Sequence, residues 1–329
     1  MNIVETKYDI YSNDKCNYTL LADFHGSFNI TLAKSIRDTT TDYVIIAGDL
    51  ANGNEWSKTA KVNEIKRFLS IIAEVHPVII VLGNHDLYKI TEEGFKNFKE
   101  LERIKNVYPL YNEYAMLNNN RFTNILPRNE LFSSATQDSP STIDELVDFY
   151  SRIKVDDNSE YIEHLVAHNP YHFVHKEMKD IISKYDMIET GHFHSGWIPT
   201  KYLISNFETV LDKGVQELIQ NKIFNTDCNS LTTNPRRNLA RGLVYIYEDG
   251  YYLFLGNNKL FFYNKDHNRY YEVSEEELFT RLKNDKVPAI IISGAVNTFL
   301  NLKIFYPSIT NINLNNKSNG VKTLLKTII

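Results

Sequence analysis

The chain has 329 residues, of which 43% are hydrophobic and 23% are charged, as in an ordinary globular protein. This length is enough for one large domain or for a domain with an accessory part. The net charge of -5 argues against a protein that binds by covering the phosphates of a nucleic acid, although a local basic patch stays open.

The cysteines and the apolar segments indicate the compartment. Cys16 and Cys228 are too few for a disulfide framework, which favours a reducing environment. The first residues show no basic stretch followed by an apolar one, and no segment reaches the roughly 20 apolar residues that a membrane-spanning helix needs. We therefore expect a cytoplasmic protein without a membrane span.

Short apolar runs alternate with longer amphipathic segments over the first half of the chain, which is typical of strands separated by helices. The predicted strands are Tyr18 to Ala22, Tyr43 to Ala47, Pro77 to Leu82, Phe122 to Leu126, Glu163 to Ala167 and Asp186 to Glu189. The predicted helices are Ser57 to Val75, Glu92 to Ile104, Ile143 to Ile153 and Met178 to Lys184. The apolar stripe of the first helix consists of Val62, Ile65, Phe68, Leu69 and Ile72.

The last third of the chain has a different pattern. Apolar runs and turn signals alternate from Gly242 to Tyr263, which predicts antiparallel hairpins. Ser274 begins a capping-box pattern that predicts a short helix, and Val287 to Ile292 predicts a strand. The asparagine-rich stretch from Asn311 to Asn319 predicts a loop.

Two domains are expected from this change of pattern. Residues 1–248 would form the main domain, and residues 249–329 a C-terminal β-rich extension or cap packed on it. A small antiparallel sheet needs another apolar surface to cover its inner face. We therefore expect the first hairpin strand to extend a sheet of the main domain and the part after Ser274 to form a small cap.

Five short polar motifs follow predicted strands, in the order Asp23-Phe24-His25, Gly48-Asp49, Gly83-Asn84-His85-Asp86, His168-Asn169-Pro170 and Gly191-His192-Phe193-His194. Each motif alone is weak, because Gly-Asp and Gly-Asn-His-Asp are more often turns. Together they hold five of the ten histidines and lie after the carboxyl ends of strands, where open α/β sheets bind ligands. The set therefore predicts a binding site.

The side chains of these motifs suit divalent cations. Hard or borderline metal ions prefer oxygen and imidazole ligands without thiolates. Two such ions about 3.5–4 Å apart need a bridging carboxylate, and they can clamp both oxygens of an in-line phosphoryl displacement. The motifs thus indicate phosphoester chemistry at a two-metal site.

The ordered pattern DxH, GD, GNHD, H and GHxH, over about Tyr18 to Ser195, resembles the calcineurin-like metallophosphoesterase superfamily. The resemblance implies an α/β fold with two mixed β-sheets packed as a sandwich and flanked by helices. It also implies two divalent metal ions, with manganese preferred and iron, zinc or nickel as alternatives. The implied reaction is phosphoester hydrolysis by metal-activated hydroxide.

The resemblance further implies a role for each motif residue. The implied ligands are Asp23, His25 and His194 for one metal, Asn84, His168 and His192 for the other, and Asp49 as the bridge. Asn84 and His85 would contact the substrate phosphate. His85 would protonate the leaving-group oxygen, and Asp86 would orient His85 and raise its basicity.

The motif variants favour one part of the superfamily. The phosphoprotein phosphatase branch reads GDxVDRG and GNHE, but this chain continues from Asp49 as Leu50-Ala51-Asn52-Gly53 and lacks that arginine. The motifs look more like those of phosphodiesterases and small-molecule phosphatases. We therefore predict a hydrolase for a phosphodiester or phosphomonoester of a small, nucleotide-like substrate.

Two other functions stay open. A metal-dependent nuclease is possible, but the acidic balance of the chain disfavours it. A metal-bound, non-catalytic interaction scaffold is the other alternative, and the complete set of ligands disfavours that one.

Three further features allow two interpretations each. His172 and His175 either line the substrate pocket or make structural loop contacts, and the second is favoured. Arg236 and Arg237 form either a phosphate-binding patch or part of a solvated loop, with neither favoured. The aromatic residues of the last third could stack on bases, but at hairpin spacing they are more often core residues.

Overall fold

The computed structural model describes residues 1–12, 15–126, 143–152, 155, 160–192, 242–255, 259–267, 269–297, 307–316 and 320–328, and the elements numbered here belong to them. The strands are β1 Asn2–Tyr11, β2 Cys16–Leu21, β3 Tyr43–Ala47, β4 Val78–Val81, β5 Val107–Pro109, β6 Tyr114–Leu117, β7 Asn120–Thr123, β8 Ile162–Val166, β9 Met187–Thr190, β10 Leu243–Tyr247, β11 Gly250–Leu255, β12 Lys259–Asn264, β13 Arg269–Glu272, β14 Ala289–Ile292, β15 Ser308–Asn315 and β16 Gly320–Thr327. The helices are α1 Ile30–Arg37, α2 Thr59–Ala73, α3 Asn84–Leu87, α4 Glu92–Lys99, α5 Ile143–Ser151, α6 Lys179–Ile182 and α7 Glu275–Asn284. None of these helices is long and apolar enough to cross a membrane.

The described strands form two mixed sheets. The first sheet has the order β16-β1-β15-β2-β3-β4-β5, and β2 to β5 are parallel within it. The second sheet has the order β13-β12-β11-β10-β14-β9-β8-β7-β6, and β14, β9, β8 and β7 are parallel. The predicted α/β sandwich of two mixed sheets with helices is confirmed.

Side chains of the central strands alternate between two apolar cores. In β3, Tyr43 and Ile45 lie in the core between the two sheets, whereas Val44 and Ile46 lie in a core against α1 and α2. Burial on both faces explains why β3 is apolar throughout rather than alternating. A third core lies between the second sheet and helices α5 and α6, so the sandwich is covered by helices on both sides.

The predicted elements of the first half are present, with shifted bounds. The stripe of α2 predicted from the sequence is buried throughout. The segment predicted as one helix from Glu92 to Ile104 is α4 followed by a 3₁₀ turn at Glu100–Arg103. The segment predicted as a helix from Met178 to Lys184 is instead a 3₁₀ turn at Lys176–Met178 followed by α6.

The C-terminal strands lie inside both sheets. β10 and β9 flank β14, so the predicted addition of the first hairpin strand to the main sheet is confirmed. The prediction of a small cap after Ser274 is wrong, because β14 lies within the second sheet and β15 lies between β1 and β2. The Ser274 hydroxyl does cap α7, accepting from the Glu277 N–H at 3.2 Å. The division of the chain at residue 248 stays a prediction.

Three strands at the chain ends, β1, β15 and β16, were not predicted from the sequence. Asn311 lies in β15 rather than in the predicted loop, and its amide donates to Glu5 Oε1 at 2.8 Å. Ile312 and Leu314 of the same strand are buried between the sheets, so β15 alternates a polar and an apolar face. β1 pairs with β15 in parallel and with β16 in antiparallel register.

Candidate metal centre

The five motifs follow five strands whose carboxyl ends meet. Asp23, Asp49 and Asn84 follow β2, β3 and β4 of the first sheet. His168 and His192 follow β8 and β9 of the second sheet. The site therefore lies where the two sheets meet along one end of the sandwich, and each sheet contributes part of it.

Several site residues have backbone angles that non-glycine residues rarely adopt. The φ angles of Asp23, His25, Asp49 and His192 are 57°, 46°, 57° and 71°. Such left-handed residues cost free energy and persist where the surrounding structure fixes them. Here the Asp49 carbonyl accepts N–H groups from Phe24 and His25 at 2.8 and 2.9 Å, which ties the loops after β2 and β3 together.

Two glycines of the motifs are required by close packing. A Cβ added to Gly48, whose φ is 86°, would lie 2.7 Å from both the Gly83 nitrogen and His168 Nδ1. A Cβ added to Gly83 would lie 2.3 Å from Asp49 Oδ1. Glycine at both positions allows three motif loops to approach within contact distance.

Asp49 lies at the centre of the site. Its Oδ1 accepts the His85 backbone N–H at 2.8 Å, and its buried Oδ2 accepts no hydrogen bond from the part of the chain that the structure describes. Burial of the Asp49 carboxyl favours its neutral form and would raise its pKa. The positive charges of the surrounding histidines, of which His168 contributes most, outweigh burial and hold the pKa below its ordinary value. Asp49 is therefore a carboxylate with one oxygen available to a cation.

His168, Asn84 and His192 converge beside Asp49. The Nδ1 of His168 lies 2.7 Å from the Ala47 carbonyl oxygen, so Nδ1 donates a proton there and Nε2 is the ring nitrogen that a cation could bind. That Nε2 lies 3.0 Å from Asn84 Oδ1 and 3.2 Å from Asp49 Oδ2. His192 Nδ1 is also 3.0 Å from Asn84 Oδ1.

Asp23 connects the two sheets at this edge. Its carboxylate oxygens accept the His192 backbone N–H at 3.1 and 3.2 Å, and Oδ1 lies 4.0 Å from His168 Nε2. The side chain of Asp23 is fully buried. A buried carboxylate of the first sheet is thereby held beside the histidine motifs of the second sheet.

Two groups of possible metal ligands share Asp49. Ligand atoms of Asp23, Asp49 and His168 lie within 4.8 Å of one another, and so do those of His25, Asp49 and His85. The rings of His25 and His85 pack edge to face at 4.8 Å between centroids. The second group includes His85, which the sequence analysis placed on the substrate rather than on a metal.

Asp86 has different partners from those predicted. Its carboxylate accepts the backbone N–H groups of Leu50, Ala51 and Gly83 and the indole Nε1 of Trp56, at 2.8–3.1 Å. These bonds occupy both oxygens, and among the described residues none comes from the His85 ring. Burial and the nearby Asp49 raise the pKa of Asp86, while its N–H donors oppose that shift. The predicted orienting contact with His85 is therefore wrong, and Asp86 instead joins two motif loops.

The donor set fits divalent cations. It consists of two buried carboxylates, an amide oxygen and imidazole nitrogens, without a thiolate. His168 Nε2 faces the oxygens of Asn84 and Asp49, so these three atoms could be ligands of one shared cation. Two partners of the site residues were not identified from the sequence. The Ala47 carbonyl, which binds His168, has no sequence signal, and Trp56, which donates to Asp86, is one of two tryptophans in the chain.

Some predicted residues lie elsewhere. His194, Arg236 and Arg237 fall outside the described residues. His172 is buried, and its Nδ1 lies 3.0 Å from the Tyr150 hydroxyl. This is a structural contact, the interpretation that the sequence analysis favoured over a place in the substrate pocket. His175 is exposed.

Residues 17–196, more than half of the chain, match the family described as calcineurin-like phosphoesterase. The chain belongs to this family. It is thus a calcineurin-like phosphoesterase, a hydrolase of phosphoesters, and the family implies a dinuclear divalent metal site for which candidate ligands are present.

Solved structures similar to this phosphoesterase have low sequence identity. The protein TT1561 of Thermus thermophilus is 15% identical, over 54% of this chain and 82% of that one, with a TM-score of 0.38. A dimetal phosphatase from Danio rerio is 13% identical, over 56% and 83%, with a TM-score of 0.37. A 5'-nucleotidase precursor from Thermus thermophilus is 12% identical, over 58% and 44%, with a TM-score of 0.37. No curated protein matches the chain.

Proposed function

We propose that this phosphoesterase hydrolyses a phosphodiester or phosphomonoester of a small, nucleotide-like molecule at a pair of divalent metal ions bridged by Asp49. The observation that carries the proposal is that two groups of clustered ligand atoms share Asp49. A carboxylate common to two groups is what a dinuclear site requires. Of the candidate ions, manganese suits these oxygen and imidazole donors, with iron, zinc or nickel as alternatives.

Membership of the family implies how the ligands divide between the two ions. Asp23 and His25 would hold one ion with His194, and Asn84, His168 and His192 would hold the other. When bound, two divalent cations supply Lewis-acid charge for the phosphoryl oxygens and lower the pKa of a water molecule. The Ala47 carbonyl supports this set, because it fixes the proton of His168 on the nitrogen that points away from Asp49.

Two residues of the third motif would act on the substrate. Asn84 directs Oδ1 at the two histidines, and among the described residues its Nδ2 has no hydrogen-bond partner, which leaves two N–H donors for a phosphoryl oxygen. His85 is half-buried beside Asp49. As an imidazolium, it would give its proton to the leaving alkoxide oxygen as the ester P–O bond breaks.

Features of the sequence favour a small substrate. The motifs lack the arginine of protein phosphatases, which favours small substrates over phosphoproteins. The net charge of -5 disfavours a nuclease. With two cysteines in the chain and Cys16 free and buried, we propose a reducing, cytoplasmic environment for the enzyme.

Turnover of two chromogenic esters tests the proposal. Purified protein is assayed with bis-p-nitrophenyl phosphate and p-nitrophenyl phosphate, with manganese and after removal of metal by a chelator. We expect manganese-dependent hydrolysis that Asp49→Asn abolishes, which rules out a contaminating phosphatase. Bound metal without turnover of either ester would contradict the proposal and favour the scaffold. A panel of cyclic nucleotides, dinucleotides, nucleoside phosphates and short DNA would then identify the substrate class.

A further inference from the structure

A buried polar cluster lies in the core between the two sheets. His164 Nδ1 is 2.6 Å from Glu189 Oε1, and the Tyr18 hydroxyl donates to the same oxygen at 2.9 Å. His164 Nε2 is 3.1 Å from Asn120 Oδ1. The side chains of His164 and Glu189 are both completely buried.

His164 has an oxygen partner at each ring nitrogen. The Asn120 amide nitrogen lies toward the Leu117 carbonyl at 3.5 Å, so its oxygen is the end that faces the His164 ring. The ring is therefore held from both sides, by Glu189 Oε1 at Nδ1 and by Asn120 Oδ1 at Nε2.

Stability alone does not explain why polar side chains occupy this part of the core. Well-packed apolar residues of similar size often stabilise a core as well as buried polar pairs do. Among the described residues, Glu189 Oε2 has no hydrogen-bond partner, so the cluster is not even fully satisfied. Directional bonds do, however, fix the relative position of the elements that they join, which apolar contacts specify less strictly.

The cluster joins the strands that carry the metal motifs. Tyr18 lies on β2, which leads to Asp23, while Glu189 lies on β9, which leads to His192. His164 lies on β8, which leads to His168. At about 3.3 Å per residue, the cluster is on the order of 10–17 Å from the motif residues along these strands.

The bond between Tyr18 and Glu189 connects the first sheet with the second. A second connection is made by Tyr43 of β3, whose hydroxyl lies 3.4 Å from His164 Nε2 and whose ring stacks on Tyr18 at 5.0 Å. The ligand set is divided in the same way, because Asp23 and Asp49 belong to the first sheet and His168 and His192 to the second. The spacing between the two halves of the site thus depends on the spacing of the sheets.

We propose that Tyr18, Glu189, His164 and Asn120 form a positioning network that fixes the two sheets relative to each other and thereby sets the distance between the two halves of the metal centre. This inference rests on the proposed function of that centre. These residues act through the metal ligands and do not touch the substrate. Groups hydrogen-bonded directly to metal ligands typically change metal affinity about 10–100-fold when they are removed, so a network that acts on the ligands through the strands should have an effect near the lower end of that range.

Tyr18→Phe tests the network with the least damage to the core. It removes the hydroxyl that links the sheets and keeps the ring that stacks on Tyr43. Tyr252→Phe is the matched control, since Tyr252 belongs to the same core and also donates to a glutamate, Glu277, at 3.3 Å. Tyr252 lies on β11, which carries no metal motif.

Manganese affinity of the full-length protein is measured by calorimetry on metal-free samples. We expect Tyr18→Phe to weaken binding about tenfold and Tyr252→Phe to change it less than about twofold. The ¹⁵N shifts of the His168 and His192 rings in metal-free protein give a second readout, which should change in Tyr18→Phe alone. Equal affinities and equal shifts in the two variants would overturn the network.

The outcome separates the network from the proposed function. Wild-type protein that binds manganese but cleaves no ester would overturn the function, while the affinity ratio of the two variants would still support or refute the network. Wild-type protein that binds no divalent cation would overturn both. Glu189→Gln is a second variant: a loss of manganese affinity like that of Tyr18→Phe supports the network, and wild-type affinity contradicts it.

Discussion

Asp49 Oδ2 and His168 Nε2 lie 3.2 Å apart, although Asp49 follows a strand of the first sheet and His168 a strand of the second. His168 Nδ1 donates to the Ala47 carbonyl, so Nε2 is the ring nitrogen that faces Asp49. A cation between or beside these two atoms could take both as ligands. The pair therefore locates the centre of the proposed metal site.

Asp49→Asn should remove the shared ligand while the fold survives. An amide cannot supply the negative charge that two cations share, and Lewis-acid stabilisation is worth several kcal/mol, so turnover should fall about a thousandfold or more. Metal analysis of the purified variant should give fewer than two equivalents. Two full equivalents with wild-type turnover would contradict the bridging role.

His85→Ala should keep the metals and lose rate. General acid catalysis is typically worth about 10²–10⁴-fold, and a good leaving group such as nitrophenol needs little of it. The loss should therefore be larger for an alkyl ester than for a nitrophenyl ester. The exposed His175 provides the control, and His175→Ala should leave both rates unchanged. Loss of a metal ion from His85→Ala would show that His85 is a ligand, as its proximity to His25 and Asp49 allows.

Asp86→Asn should destabilise the protein rather than alter proton transfer. An amide has one acceptor oxygen, so N–H groups that Asp86 now binds would lose their partner, at about 1–3 kcal/mol for each buried group. Denaturant unfolding measures this change in the free energy of unfolding. The exposed Asp148 makes a surface ion pair with Arg152, and Asp148→Asn should stay within about 0.5 kcal/mol of wild type. An unchanged unfolding free energy for Asp86→Asn, together with a shifted pH–rate profile, would restore the orienting role first predicted.

A chain that ends at Val273 should be insoluble. It lacks β14 and β15, and their loss opens the interior of both sheets. A chain that ends at Asn316 loses only β16, at the edge of the first sheet, and should stay soluble with reduced stability. Solubility and cooperative unfolding of the two truncated proteins decide the matter. A soluble, metal-binding protein that ends at Val273 would contradict the topology.

The sequence predicts the residues of the metal site better than it predicts the hydrogen-bond partners and strands that hold those residues in place. Each motif is local, and the apolar runs before Asp23, Asp49 and Asn84 are long enough to identify as strands. The partners of Asp86 lie 3 to 36 residues away and are mostly backbone N–H groups, which no side-chain pattern reveals. β15 was missed because its polar face consists of asparagines, which are typical of loops but here bind acidic side chains of β1.

The most direct test is a crystal structure of the full-length protein with manganese, recorded with anomalous scattering. The account predicts two manganese peaks about 3.5–4 Å apart, with an Asp49 oxygen bound to each or bridging both. A single peak, or two peaks of which one does not touch Asp49, would contradict the dinuclear site on which the proposed function rests.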